Sequence, residues 1–337
     1  MYETRFSFRR RPFPATPDSR AYYPATSHER ALALLQRALD DGDSLALLTG
    51  APGTGKTLVC HCLLERLGEG VASAFLTHSH FSSRSALLQA ILYDLSLPYE
   101  GAGEQELRLR LTDFLLNHYR AGSRTVLVVD EAQHLGPDLL EELRLLGNLE
   151  GGRGRAVQVV LAGQPGLLET LRLPELAAFN QRVLVRARLD PLGVEEAIDY
   201  LLHHLRAAGG RPERVITEDG LELLARHTAG VPRLLNQVAH QALALADSAD
   251  ASLVDAEAAL EALALIGLEV AEEAAEPLAD DGLSGAPEMN LVAEGPAEEA
   301  APAVVAEPGK EAVNAEAAPL EDASEAYLLF EAPRRPA

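Results

Sequence analysis

The segment Gly50-Ala51-Pro52-Gly53-Thr54-Gly55-Lys56-Thr57 constrains this chain more than any other stretch in it. It fits the pattern Gly-x-x-x-x-Gly-Lys-Thr, follows the apolar run Leu45-Ala46-Leu47-Leu48, and leads into helical spacing from Leu58 to Leu67. A strand that turns through glycines into a helix is the context in which this pattern holds phosphate. The glycines let backbone N–H groups face an anion with no Cβ in the way. The helix N-terminus adds positive potential. Lys56 would reach the β- and γ-phosphates of ATP, and the Thr57 hydroxyl would ligate Mg²⁺.

The rest of the first 190 residues suits such a loop. Strands are expected at Val71–Leu76, Thr125–Val129, Val157–Leu161 and Val183–Leu189, with helices from Ser27, Ser85, Glu104 and Pro137. Ser27 is read as the cap of the first of these helices. Strands alternating with helices imply a parallel sheet covered on both sides. After Asp190-Pro191-Leu192 no strand signal returns, and four helical stretches follow to about residue 266. The expected fold class is α/β: a P-loop core at 27–190, its parallel sheet sandwiched by helices, with a small all-helical lid at 191–268. Residues 1–26 carry prolines, six aromatics and Arg5, Arg9, Arg10 and Arg11. They are expected to form an arm packed on the core. Residues 271–337 hold 16 acidic residues and 19 alanines but only two aromatics, and the change of character begins at about residue 269. They are expected to form a disordered tail, because that composition cannot bury enough surface to offset ordering entropy. Within it, Tyr327-Leu328-Leu329-Phe330 reads either as a docking motif or as an incidental apolar cluster.

Four further signals add chemistry. Val126-Leu127-Val128-Val129 delivers Asp130 and Glu131 at the C-terminal end of a buried strand, where open α/β sheets place their sites. Asp130 would hold Mg²⁺ and Glu131 would polarise the attacking water. Gln164, after Leu161-Ala162-Gly163, would hydrogen-bond that water or the γ-phosphate; Gly-Gln-Pro is also an ordinary turn. Arg182, Arg186 and Arg188 share parity, which puts them on one strand face. They read either as charges that deter edge pairing or as the source of an arginine finger, with Arg182 the first candidate. Arg233, at the helix start Gly230-Val231-Pro232-Arg233, opposes the helix dipole. That mismatch suggests a role at the phosphate cleft. Asp130-Glu131-Ala132-Gln133 is also similar to motif II of DExH-type helicases. Those need two successive α/β motor domains, and only one fits here.

In this order the features look like an AAA+ ATPase. With Met1-Tyr2, Pro12-Phe13, Pro17-Asp18, His28-Glu29, the run Leu140 to Glu150 and Asp190-Pro191-Leu192, they resemble the general secretion pathway protein A family of bacterial AAA+ ATPases over about residues 1–268. The resemblance implies an ATPase at the inner face of the cell envelope that helps to assemble or position a secretion or pilus machine. It implies ATP and Mg²⁺ as cofactors, Lys56 and Thr57 on phosphate and metal, Asp130 and Glu131 as the Walker B acids and Gln164 as a sensor. Arg182 would be the finger, Arg233 the second sensor, and the Tyr22-Tyr23 region a border of adenine. The family's best-known members continue into a membrane span and a peptidoglycan-binding module. Here an acidic stretch stands in that place.

Charge bears on the partners. The formal net charge is −22, of which −9 falls on residues 1–270. A body of that sign disfavours DNA as a bulk partner, although the N-terminal arginines keep it open. No apolar run reaches the length of a membrane span, and no secretory signal is visible at the N-terminus. Cys60 and Cys62 flank His61 and read as small helix residues in a reducing cytoplasm; a metal site with His78 and His80 would match no known ligand spacing. The expectation is therefore a cytoplasmic, oligomeric ATPase, peripheral at the inner membrane, with an unidentified protein partner. The alternatives are a DNA-associated helper ATPase and a nucleotide-dependent switch with little hydrolysis.

Overall fold

Along the strands of the sheet, neighbouring residues belong to different apolar clusters. Leu45 and Leu47 join Leu127, Val129, Val159 and Leu161 on one face; Ala46 and Leu48 join Val126, Val128, Val160 and Ala162 on the other. Strand side chains alternate in direction. A sheet covered on both faces therefore reads as the unbroken apolar runs seen in the sequence.

The structure is a computed structural model that describes residues 2–16, 18–152 and 154–268. The expected tail and its Tyr327–Phe330 cluster lie outside the described residues, as do Met1 and Pro17. In chain order the elements are α1 (Tyr2–Arg5), α2 (Thr26–Asp41), β1 (Leu45–Gly50), α3 (Lys56–Glu65), β2 (Ala72–Leu76), α4 (Arg84–Asp94) and α5 (Glu104–Arg120). Then come β3 (Thr125–Val129), α6 (Pro137–Gly147), β4 (Val157–Gly163), α7 (Gly166–Thr170), α8 (Ala177–Arg182) and β5 (Val183–Leu189). The helical part follows as α9 (Val194–Ala207), α10 (Glu218–His227), α11 (Pro232–Ser248) and α12 (Ala256–Leu265). The strand order is β2-β3-β4-β1-β5, and every pairing is parallel. Helices α2 and α3 cover one face; α4, α5 and α6 cover the other. The expected α/β sandwich is present, with all five strands where the apolar runs place them.

Three details differ from expectation. First, α2 begins at Thr26, with Ala25 at its N-cap position and no side chain of its own capping it. Ser27 therefore lies inside the first turn. The Thr26 N–H is accepted instead by Glu196 Oε1 of α9, at 2.6 Å. Second, the arm divides: Tyr22 packs on the cluster between the sheet, α2 and α3, while the four aromatics before it go to the helical part. Tyr2, Phe6, Phe8 and Phe13 are buried in the apolar cluster of α9 to α12. Arg5 pairs with Asp247 and Asp250, Arg10 with Asp18 and Arg11 with Glu3. Three of the four arginines are thus paired within the chain, although pairs this exposed add little stability. Third, α7 and α8 fill the span between β4 and β5. At five and six residues they are too short to show a helical period.

A sharp turn sets how the helical part meets the α/β part. The Leu192 N–H donates to the Gly230 carbonyl at 2.9 Å. Gly230 has φ +66°, and a Cβ there would collide with the Leu192 carbonyl. Only glycine suits both demands. Among the described residues no helix is long and apolar enough to cross a membrane.

Candidate functional site

The ends of β1 and β3 meet at the phosphate-loop motif. Gly53 (φ +80°) and Gly55 (φ +97°) shape the turn, and α3 starts at Lys56. Lys56 is 5% exposed, and its Nζ donates to the carbonyls of Gly50 at 3.0 Å and Ala51 at 3.1 Å. Burial pulls its pKa below the usual lysine range, against the opposing charges of Glu131 and Asp130. Thr57 Oγ1 donates to Asp130 Oδ2 at 2.5 Å. The other Asp130 oxygen accepts the Glu131 N–H at 2.8 Å. A hydroxyl and a carboxylate are the hard oxygen donors that Mg²⁺ takes. Held in contact at the mouth of a phosphate loop, they fit that ion.

Glu131 takes a left-handed conformation (φ +52°), a strained state that tends to mark functional positions. Its carboxylate accepts from Gln133 Nε2 at 2.5 Å, and Gln133 Oε1 in turn accepts the Gln164 N–H at 3.0 Å. Burial pushes the Glu131 carboxyl up. The hydrogen bond from Gln133, the Lys56 charge, a hydrogen bond from Gln164 and the charge of His134 outweigh it and hold the group below its ordinary value. Glu131 is therefore ionised at neutral pH, able to accept a proton from a water. Gln133 carries no signal of its own in the sequence. It lies inside the Asp-Glu-Ala-Gln string, but only the fold shows that its amide bridges β3 to β4.

A cleft of about 460 Å³ opens beside the loop, between the arm and the helical part. Lys56, Thr57 and Glu131 line one end; Phe13, Tyr23 and Tyr200 are among the residues lining the rest. Tyr23 borders the cleft, whereas Tyr22 packs against the cluster under α2 and α3. Arg233 also lines it, and its N–H donates to the Gly53 carbonyl at 3.2 Å. A Cβ at Gly53 would lie 2.9 Å from that of Arg233. The first turn of α11 therefore rests directly on the phosphate loop.

The three candidate finger arginines separate. Arg182 ends α8, and its side chain makes no hydrogen bond or ion pair among the described residues. It does not share the strand face with the other two, because the helix runs up to Val183. Arg186 Nη2 donates to Asn180 Oδ1 at 2.6 Å, and Arg188 pairs with Asp190 at 2.7 Å. Both are exposed beside Leu184 on the outer face of β5. Cys60 and Cys62 are buried in the cluster between α2, α3 and the sheet, and burial pushes both thiols up.

The chain matches the family described as AAA domain over residues 39–171. General secretion pathway protein A of Aeromonas hydrophila is 40% identical over 244 residues, which cover 72% of this chain and 44% of that protein. ORC1-type DNA replication protein 9 of Halobacterium salinarum is 28% identical over 210 residues, 60% of this chain and 55% of that one. The chain thus spans about half the length of the curated relatives it matches. Cdc6p from Pyrobaculum aerophilum is similar in structure at a TM-score of 0.60 and 20% identity, covering 78% of this chain and 71% of that one. The Aeropyrum pernix ORC1 protein in complex with DNA gives 0.57 and 23%, covering 76% and 69%. At such identities the two structures speak to the fold alone.

Proposed function

The chain is a P-loop AAA+ protein resembling the general secretion pathway protein A family, and from that premise we propose that it hydrolyses ATP to assemble or position a protein machine of the bacterial envelope. The observation that carries the ATPase reading is that Asp130 accepts hydrogen bonds from the Thr57 hydroxyl and the Glu131 N–H, beside a buried Lys56 whose ammonium rests on the loop carbonyls and feels both acids. Lys56 and the N-terminus of α3 hold the phosphates. Thr57 and Asp130 would hold Mg²⁺, which when bound neutralises charge on the phosphate oxygens. Glu131 orients a water and takes its proton, with Gln133 and Gln164 fixing the carboxylate from behind. Arg233 ties α11 to the loop, so phosphate contacts bear on how the helical domain sits. The N-terminal arm and Tyr23 would border the base.

The envelope role is supported by the likeness to General secretion pathway protein A; on that reading the chain would work in the cytoplasm, peripheral at the inner membrane. The likeness to an ORC1-type DNA replication protein supports a second reading, a DNA-associated ATPase, against which the negative body counts. Phosphate release with Mg²⁺, measured with and without duplex DNA over a salt series, separates them. So does sedimentation of Glu131→Gln protein with envelope fractions in ATP and in ADP. Turnover indifferent to DNA, with ATP-dependent sedimentation, is expected. Strong DNA stimulation that collapses with salt would move the function to DNA. ATP binding without turnover would leave a nucleotide-dependent switch.

Gln133 supplies a finer check. Gln133→Ala removes one hydrogen bond to the Glu131 carboxylate and leaves the Gln164 N–H without its acceptor. Turnover is expected to fall about tenfold, the worth of ~1–1.5 kcal/mol at the transition state. ATP affinity should be unchanged. Steady-state phosphate release and a nucleotide titration measure the two, and an unchanged kcat would remove Gln133 from the site.

A further inference from the structure

His28 has no part in the phosphate motif, yet it touches it. It sits in the first turn of α2 and is 5% exposed. Its Nε2 lies 2.8 Å from the Thr54 carbonyl oxygen. Burial holds the imidazole below the usual histidine range. The ring is therefore neutral, and facing a carbonyl, Nε2 must be the nitrogen that carries the proton. Gly55 closes the contact from the other side: a Cβ there would lie 2.9 Å from Nε2.

The hydrogen bond orients one peptide of the loop. In a trans peptide the C=O and N–H point in opposite directions. Anchoring the Thr54 carbonyl on His28 therefore turns the Gly55 N–H away from α2. That N–H has no hydrogen-bond partner among the described residues. It sits just ahead of Lys56, at the mouth of α3, where a phosphate would meet it. The anchor is itself held. Glu196 of the helical domain caps α2 two residues before His28, and Ser27 Oγ donates to the Asp190 carbonyl at 3.2 Å.

We infer that His28 is a positioning residue for the phosphate loop: by donating to the Thr54 carbonyl it presents the Gly55 N–H to the phosphates of the nucleotide. The inference rests on the reading of this loop as a nucleotide site. It predicts a defect confined to the phosphate end of the ligand. His28→Leu keeps much of the volume and removes the donor; His28→Ala removes both and serves if the first does not fold. His28→Gln keeps an N–H donor. Affinities for ADP with Mg²⁺ and for adenosine, measured by competition against a fluorescent ADP analogue, give the readout, with melting curves to check folding. His28→Leu or His28→Ala should bind ADP about tenfold more weakly, the scale of one lost hydrogen bond. Adenosine affinity should not change, and His28→Gln should recover most of the loss. Undiminished ADP affinity without the donor, an equal loss for adenosine, or no recovery with Gln would overturn the role of His28. Failure of the unaltered protein to bind ADP would instead defeat the nucleotide reading itself.

Discussion

Lys56→Ala protein is expected to lose ATP binding, whereas Glu131→Gln protein should bind ATP and release almost no phosphate. The two side chains lie in one site but do different work. Lys56 holds its ammonium over the loop carbonyls of Gly50 and Ala51, where it is the cation nearest the expected phosphates. Alanine leaves that anion without its counter-charge in a buried place, where charge is costly to leave unpaired. Glu131→Gln is a narrower change. The new amide still offers an oxygen to Gln133 Nε2, so the side chain keeps its place and loses only its ability to take a proton. Removal of a general base typically costs about 10²–10⁴ in rate. Equilibrium titration with ATP and phosphate release, measured separately, distinguish the two defects. Tight binding by the Lys56 variant or full turnover by the Glu131 variant would sink the assignment.

What could be read from the residues depended on how local the cause was. β1 and β3 are central strands covered on both faces, so burial itself writes an apolar run of the right length. The phosphate loop was legible for a similar reason: its glycines, lysine and threonine are adjacent in the chain. Short helices were not. α7 and α8 complete too few turns for a period to emerge, and without a visible α8 the parity of the arginines puts Arg182 on a strand. Contacts that join distant segments were invisible. Nothing about Glu196 announces that it will cap a helix 170 residues earlier, and nothing about Ala25 announces that its helix needs an outside acceptor. His28 and Gln133 belong to the same class. Each lies in a string that stands out in the sequence, but its chemistry comes from where β1, β3 and β4 bring other residues to it. The arm shows the converse. Its aromatics announced burial, but whether the sheet or the helical domain would receive them depends on which had apolar surface left over. Glu142 carries a similar lesson. It reads as one of two equivalent acids in Leu140-Glu141-Glu142-Leu143, yet it is buried and clasped by Arg108 through two hydrogen bonds of 2.8 and 2.6 Å. Part of that run therefore answers to packing of α5 on α6 and not to the phosphate site.

Hydrolysis is expected to require a neighbouring copy of the chain, with Arg182 reaching across. β5 pairs with β1 in parallel, Leu45 opposite Val183 and Gly50 opposite Leu189. Arg182 therefore lies beside the start of β1, while the phosphate loop lies beyond its end. The six residues of β1 put roughly 20 Å between them, too far for the side chain to reach the phosphates of its own chain. β5 is also the edge of the sheet, so nothing in the sheet stands between this end and another subunit. Arg186 and Arg188 are already engaged by Asn180 and Asp190, and Arg182 is not. An arginine finger supplied in trans typically contributes about 10³–10⁵ in rate. Specific activity should therefore climb with protein concentration. Arg182→Ala protein should bind ATP as the unaltered protein does and turn over at the level of the isolated chain. Mixing it with Lys56→Ala protein should restore part of the rate, because the finger on a subunit with a disabled loop can act on the intact loop of its neighbour. Activity independent of concentration, together with no recovery in mixtures shown by sedimentation to co-assemble, would exclude Arg182 as a finger acting in trans.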